Sequence, residues 1–109
     1  MVDKLKIQIN EDLEPIIPTF FKNLEQDIKI SEFSILSADG EKVAKMGHKC
    51  KGACGSYGFM DMYNIFDLIE KNGLSGDFIE AQHNIQKLKQ YISKIEIEYI
   101  EIDEDDDDE

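Results

Sequence analysis

Apolar residues recur at helical spacing in four stretches of the chain, and residues that start or stop helices separate the stretches. After Asn10-Glu-Asp12, a stripe runs through Leu13, Ile16, Ile17, Phe20, Phe21, Leu24 and Ile28 and continues to Ile35. Spacing of three and four predicts a long first helix. Pro15 falls where the first N–H groups of a helix have no intrahelical partner, whereas Pro18 is expected to loosen or kink it. Ser37-Ala-Asp-Gly40 breaks the pattern, and Asp39 suits an N-cap. A second helix is expected from about Gly40 to Tyr57, closed by Gly58, which can take the left-handed cap conformation. A third carries Phe59, Met62, Tyr63, Phe66 and Ile69 and is expected to stop near Asn72-Gly73. The fourth opens at Asp77-Phe-Ile-Glu80, a variant of the capping box, with a face of Phe78, Ala81, Ile85, Leu88, Ile92 and Ile95. Four amphipathic helices joined by short turns predict an all-α, up-down four-helix bundle.

The flanks follow a different period. KLKIQI (4–9) and IEIEYIEI (95–102) alternate between apolar and polar residues, as strands do. The two ends of such a bundle meet, so a small antiparallel strand pair can form there; Ile92, Ile95, Tyr99 and Ile102 equally continue a helix. The organisation expected is an N-terminal extension (1–10), a helical bundle (11–100) and an acidic tail (101–109) too charged to fold.

Charge sharpens this division. The 109 residues carry 12 lysines, no arginine and 24 acids, a net of −12. Eight of those acids lie in 101–109, so the rest of the chain carries only −4. An acidic body without a basic stripe argues against nucleic acid as the partner. No apolar run approaches the roughly 20 residues of a transmembrane helix. The start, MVDKLKIQIN, lacks the apolar core of a signal peptide, so a cytoplasmic location is expected, with a monomer as the simpler oligomeric state. Two cysteines, Cys50 and Cys54, make no disulfide framework and are expected as thiols.

The second helix holds the candidate chemistry. At about 100° per residue, Val43, Met46, Cys50, Ala53, Cys54 and Tyr57 gather into a core stripe, and His48 points away from it. Within roughly 60° of His48 lie Glu41, Ala44, Lys45, Lys51, Gly52 and Gly55. Gly47, Gly52 and Gly55 inside one helix together cost roughly 2–3 kcal/mol relative to alanine. A gap beside His48 would give another protein's surface close access to the imidazole. A neutral ring nitrogen is an available nucleophile near pH 7. Lys45 and Lys51 can offset the charge of a phosphoryl group in transfer, where catalysis is mostly positioning and electrostatics. His83 also lies opposite its helix's core stripe, but without a lysine pair or glycine gap it reads as a surface residue.

The stretch GHKCKGACGSYGF resembles the H-x-x-K-G signature of histidine phosphotransfer (HPt) domains of bacterial two-component phosphorelays. The similarity covers most of residues 11–98, including DLEPIIPTFF and SGDF. The resemblance implies that His48 accepts the phosphoryl group, that Lys51 assists, that Gly52 gives the partner access and that Gly58 closes the motif. It also implies a four-helix bundle exchanging phosphate with an aspartate of a response-regulator receiver domain, which itself supplies the divalent metal; a hybrid histidine kinase is the other implied partner. Cys50 stands where the family usually has leucine or methionine, a swap that still packs. On this reading the chain needs no cofactor and is a stoichiometric carrier rather than a turnover enzyme. Gly52, Gly55 and Gly58 lack the P-loop spacing and a preceding strand, so autokinase activity is not expected.

Two other readings remain. Zinc or Cys–His chemistry is opposed by helical geometry, because Cys50 is about 200° and Cys54 about 120° from His48 around the helix. The second is a non-phosphorylated helical module that docks a receiver domain or histidine kinase. A carrier loses function in His48→Gln while keeping its fold, and a docking module tolerates that change.

Overall fold

A computed structural model describes residues 4–102, and within them four helices form a helical bundle with a short strand at each end. The order is β1 (Leu5–Asn10), a single 3-10 turn (Glu11–Leu13), α1 (Ile17–Leu36), α2 (Gly40–Tyr57), α3 (Met60–Ser75), α4 (Phe78–Lys94) and β2 (Ile95–Ile100). Among the described residues no helix is long and apolar enough to cross a membrane. The acidic stretch expected as a tail lies, from 103 onward, outside the described residues.

The helices are joined by a repeated device. α1, α2 and α3 each end on a left-handed residue: Ala38 at φ 55°, Gly58 at 86° and Gly76 at 74°. The N–H of the following residue then returns to a carbonyl of the last turn, Asp39 to Ser34, Phe59 to Cys54 and Asp77 to Asn72. Those same following residues are the N-caps of the next helices. Asp39 accepts from the Lys42 N–H and Asp77 from the Glu80 N–H, both at 3.1 Å, so each satisfies an orphan donor. Connections this short leave consecutive helices packed side by side.

Two expectations about breakers change. α1 begins at Ile17, later than the apolar period suggested, because Asn10 caps the 3-10 turn by accepting from the Asp12 N–H at 2.9 Å. Pro18 therefore sits at the second helical position, where a missing N–H breaks no intrahelical bond. α3 does not stop at Gly73 but runs on to Ser75. A Cβ at Gly73 would stand 2.5 Å from the Ala44 nitrogen and 2.7 Å from the Gly40 oxygen, so glycine is there for close helix packing.

The core is one cluster. Ile17, Phe20, Leu24, Ile28 and Ile35 of α1 meet Val43, Cys50 and Cys54 of α2, Met62, Phe66 and Ile69 of α3, and Ala81, Ile85 and Leu88 of α4. At the strand end, Phe20 stacks on Phe59 at 5.3 Å and meets Tyr57 edge-on at 5.2 Å. Such pairs add about 0.5–1.5 kcal/mol each beyond area burial.

The strands pair in parallel, Leu5 opposite Ile95 through Asn10 opposite Ile100, and not in the antiparallel sense expected. Parallel strands need a long crossover, and here the whole bundle serves as it. The 3-10 turn and residues 14–16 lie between β1 and α1, so β1 need not share the direction of the helix it precedes. Ile9 is buried, and Ile7, Ile97 and Tyr99 pack on the core from the same sheet face. The segment expected as an extension thus contributes to the core through β1. Gln8 and Glu98 pair on the other face, Nε2 donating to Oε1 at 3.3 Å.

Candidate functional site

The site is built on the α2–α3 hairpin. Going along α2, Gly40, Ala44, Gly47, Lys51 and Gly55 meet Gly73, Glu70, Asp67 and Tyr63 in descending order along α3. At Gly47 a Cβ would lie 2.8 Å from the Glu70 nitrogen and 2.9 Å from its Cα. Only glycine permits that approach, and the approach brings the Glu70 side chain to the residue after Gly47, which is His48. Farther along, Gly55 makes room for Tyr63, whose ring carbon would stand 3.2 Å from an added Cβ.

His48 is open to solvent, with its side chain 73% exposed. Its Nδ1 lies 3.1 Å from Glu70 Oε2. A carboxylate can only accept, so the neutral ring bonded to it carries its proton on Nδ1. The Nε2 lone pair is then free on the far side of the ring. Glu70 is itself fixed: Lys51 Nζ stands 2.8 Å from its Oε1. That contact is an ion pair off the direction of a regular hydrogen bond, and the buried oxygen has no directed donor. Lys51 also donates to Asp67 Oδ1 at 3.1 Å and lies 5.8 Å over the Tyr63 ring, leaving 18% of its side chain exposed. Lys71 reaches Asp67 from the next turn at 2.9 Å. The Lys51 ammonium holds the Glu70 carboxyl below the usual carboxylate range, and Lys71 with Lys51 does the same for Asp67. The two carboxylates in turn push the Lys51 ammonium up.

These positions revise the expected division of labour. Lys51 is not a free cation beside the imidazole; its charge is engaged by two carboxylates, and it reaches His48 through Glu70. Lys45 is exposed and makes no ion pair among the described residues. Gly52 is exposed, and a Cβ there would meet nothing within 4 Å, so it borders open space. Gly58 closes α2 as expected, in the left-handed conformation. Of the three glycines inside the helix, Gly47 and Gly55 are explained by α3, and Gly52 alone has no packing partner. Ala44, placed by helical angle near His48, is buried against Gly73.

Glu70 and Asp67 were missed in sequence, being 22 and 19 residues from His48 on another helix. A signal existed: Tyr63, Asp67 and Glu70 recur at i, i+4 and i+7, an aromatic and acidic stripe at helical spacing. Cys50 and Cys54 are buried at 2% and 0% exposure, on the core side and away from His48. Cys50 Sγ lies 3.6 Å from Asp27 Oδ2, and burial with that carboxylate pushes its thiol up; burial pushes Cys54 up to about 12. Neither is a ready nucleophile. His83 is exposed, with Glu80 3.5 Å from its Nδ1.

Comparison of the chain with protein-family models, curated proteins and solved structures finds no match. The site consists of an exposed imidazole, a carboxylate on one ring nitrogen, the other ring nitrogen without a partner among the described residues, and open space one turn along at Gly52.

Proposed function

We propose that this chain is a histidine phosphotransfer protein, carrying a phosphoryl group on Nε2 of His48 between aspartates of receiver domains. The observation that carries the reading is the His48–Glu70 contact, which leaves Nε2 as the nucleophile on the exposed side. The four helices, taken in up-down order, serve as a rigid frame for it.

The lone pair of Nε2 attacks the phosphorus of an aspartyl phosphate, and the bond from phosphorus to the aspartate oxygen breaks. The ring becomes positive as the new N–P bond forms, and Glu70, bonded to Nδ1–H, stabilises that charge. Reversal returns the phosphoryl group to an aspartate and restores the neutral ring. Lys51 acts as a positioning residue by holding Glu70. Lys45, exposed and in no ion pair among the described residues, is a cation that can meet an arriving phosphoryl group. Gly52 leaves the surface beside His48 low, and Gly58 ends the helix. The chain itself needs no metal for these steps; a divalent ion belongs to the receiver's aspartate pocket.

Transfer from a receiver domain labelled with phosphorus-32 tests this. The reading predicts label on the wild type, none on His48→Gln, and an unchanged circular dichroism melt for that variant. Unlabelled wild type that still binds the receiver, equally well in His48→Gln, would replace it with a docking module.

A further inference from the structure

We propose that the free edge of β1 docks an extended segment of a partner protein in which acidic and apolar residues alternate. Among the described residues the sheet has two strands, and β1 pairs with β2 alone. Asn10 is engaged by the 3-10 turn, and among the described residues no backbone group from a turn or loop bonds to the main chain of residues 5–9. About half of the main-chain N–H and C=O groups of β1 therefore face away from β2 without a backbone partner, and such an edge is a template for strand addition.

Charge selects the occupant. Lys4 and Lys6 are exposed at this strand, and neither makes an ion pair among the described residues, although Lys6 stands opposite Glu96 in register. Together they make this strand locally cationic on a chain of net charge −12. Leu5, 38% exposed, begins the apolar face. The strand that β1 already accepts on its other edge reads IEIEYI, so the favoured pattern is present in the molecule. The outer edge of β2 is a poorer site for the same ligand, since Glu96 and Glu98 would face its acids.

A second copy is the weaker occupant. Pairing β1 with another copy's β2 is head-to-tail, without the two-fold symmetry of a simple dimer, and chains of charge −12 repel each other.

The probe is a fluorescein-labelled peptide copying residues 95–102, IEIEYIEI, titrated with the full chain by fluorescence anisotropy. Saturable binding is expected, weakened at least tenfold in Lys4→Glu/Lys6→Glu, partly in Lys4→Gln/Lys6→Gln, and by added salt. The same peptide with lysine for each glutamate should not bind. Amide exchange should slow in residues 5–10 and stay unchanged in 95–100. No binding, equal binding of both peptides or indifference to the charge reversals would overturn the proposal. So would faster exchange in 95–100, meaning that β2 is displaced, or a dimer in sedimentation without peptide. Melting curves of both variants confirm that they fold. None of these readouts depends on phosphate at His48.

Discussion

Adding one methyl group at Gly52 should stabilise the fold, and adding one at Gly47 should not. Both glycines lie inside α2, five residues apart, so both alanine variants gain the same helix propensity, about 1 kcal/mol. At Gly52 nothing lies within 4 Å of the new Cβ, so the gain should appear undiminished. For a domain of this size, about 1 kcal/mol corresponds to a rise of about 4–8 °C in melting temperature. At Gly47 the Cβ would stand 2.8 Å and 2.9 Å from main-chain atoms of Glu70, and backbone cannot rotate away. α3 must retreat, at a cost of about 1–3 kcal/mol for overpacking. The propensity gain offsets part of this, leaving a net change between about zero and a loss of 2 kcal/mol. The two variants should differ by about 1–3 kcal/mol, or at least about 4 °C. Thermal and urea denaturation followed by circular dichroism at 222 nm would measure it. Equal stability of the two variants, or destabilisation by Gly52→Ala, would refute the account of close helix contact at one site and open space at the other.

Other outcomes follow from the same geometry. Gly52→Leu should fold normally and lose phosphotransfer by tenfold or more, because it fills the space beside His48; unchanged transfer rates would remove the access argument. Ala38→Gly should stabilise by about 1 kcal/mol in urea melts, since alanine is held at φ 55° where glycine is unstrained. Glu70 and Asp67 bind protons more weakly folded than unfolded, so their contribution is complete above the ordinary carboxylate range near about pH 4 and is lost as pH falls through their lower folded values. Lys51→Ala should therefore shrink the fall in urea midpoint between pH 6 and pH 3; an unchanged fall would mean that Lys51 does not hold them. Cys50 and Cys54 should react with a thiol reagent far more slowly in native protein than in urea, and equal rates would contradict their burial.

Much of the fold was legible because local signals agreed with one another. Asp39 and Asp77 cap as their positions imply, Gly58 ends α2, and the apolar stripes point inward. Failures came where a neighbouring element decided the outcome. Gly73 resembles a helix stop, yet Gly40 and Ala44 of α2 press on it, and the helix continues. Pro18 threatened a kink only on the assumption that Leu13 belonged to α1; Leu13 is used in the 3-10 turn instead. Period-two alternation located both strands but could not give their relative direction, which the segment between β1 and α1 allows to be parallel. At the site, helical angle placed His48 outward and the cysteines inward. It also placed Lys51 within about 60° of His48, and only the packing of α3 supplies the carboxylates that engage it.

The most direct test of the central claim is the position of phosphate on the chain after exposure to a phosphorylated receiver domain. Tryptic mass spectrometry would locate the residue, and phosphorus-31 NMR of the intact protein would identify the ring nitrogen. The account predicts acid-labile phosphate on His48, attached at Nε2 because Glu70 holds Nδ1. Phosphate at Nδ1, on another residue, or absent from a folded chain would contradict it.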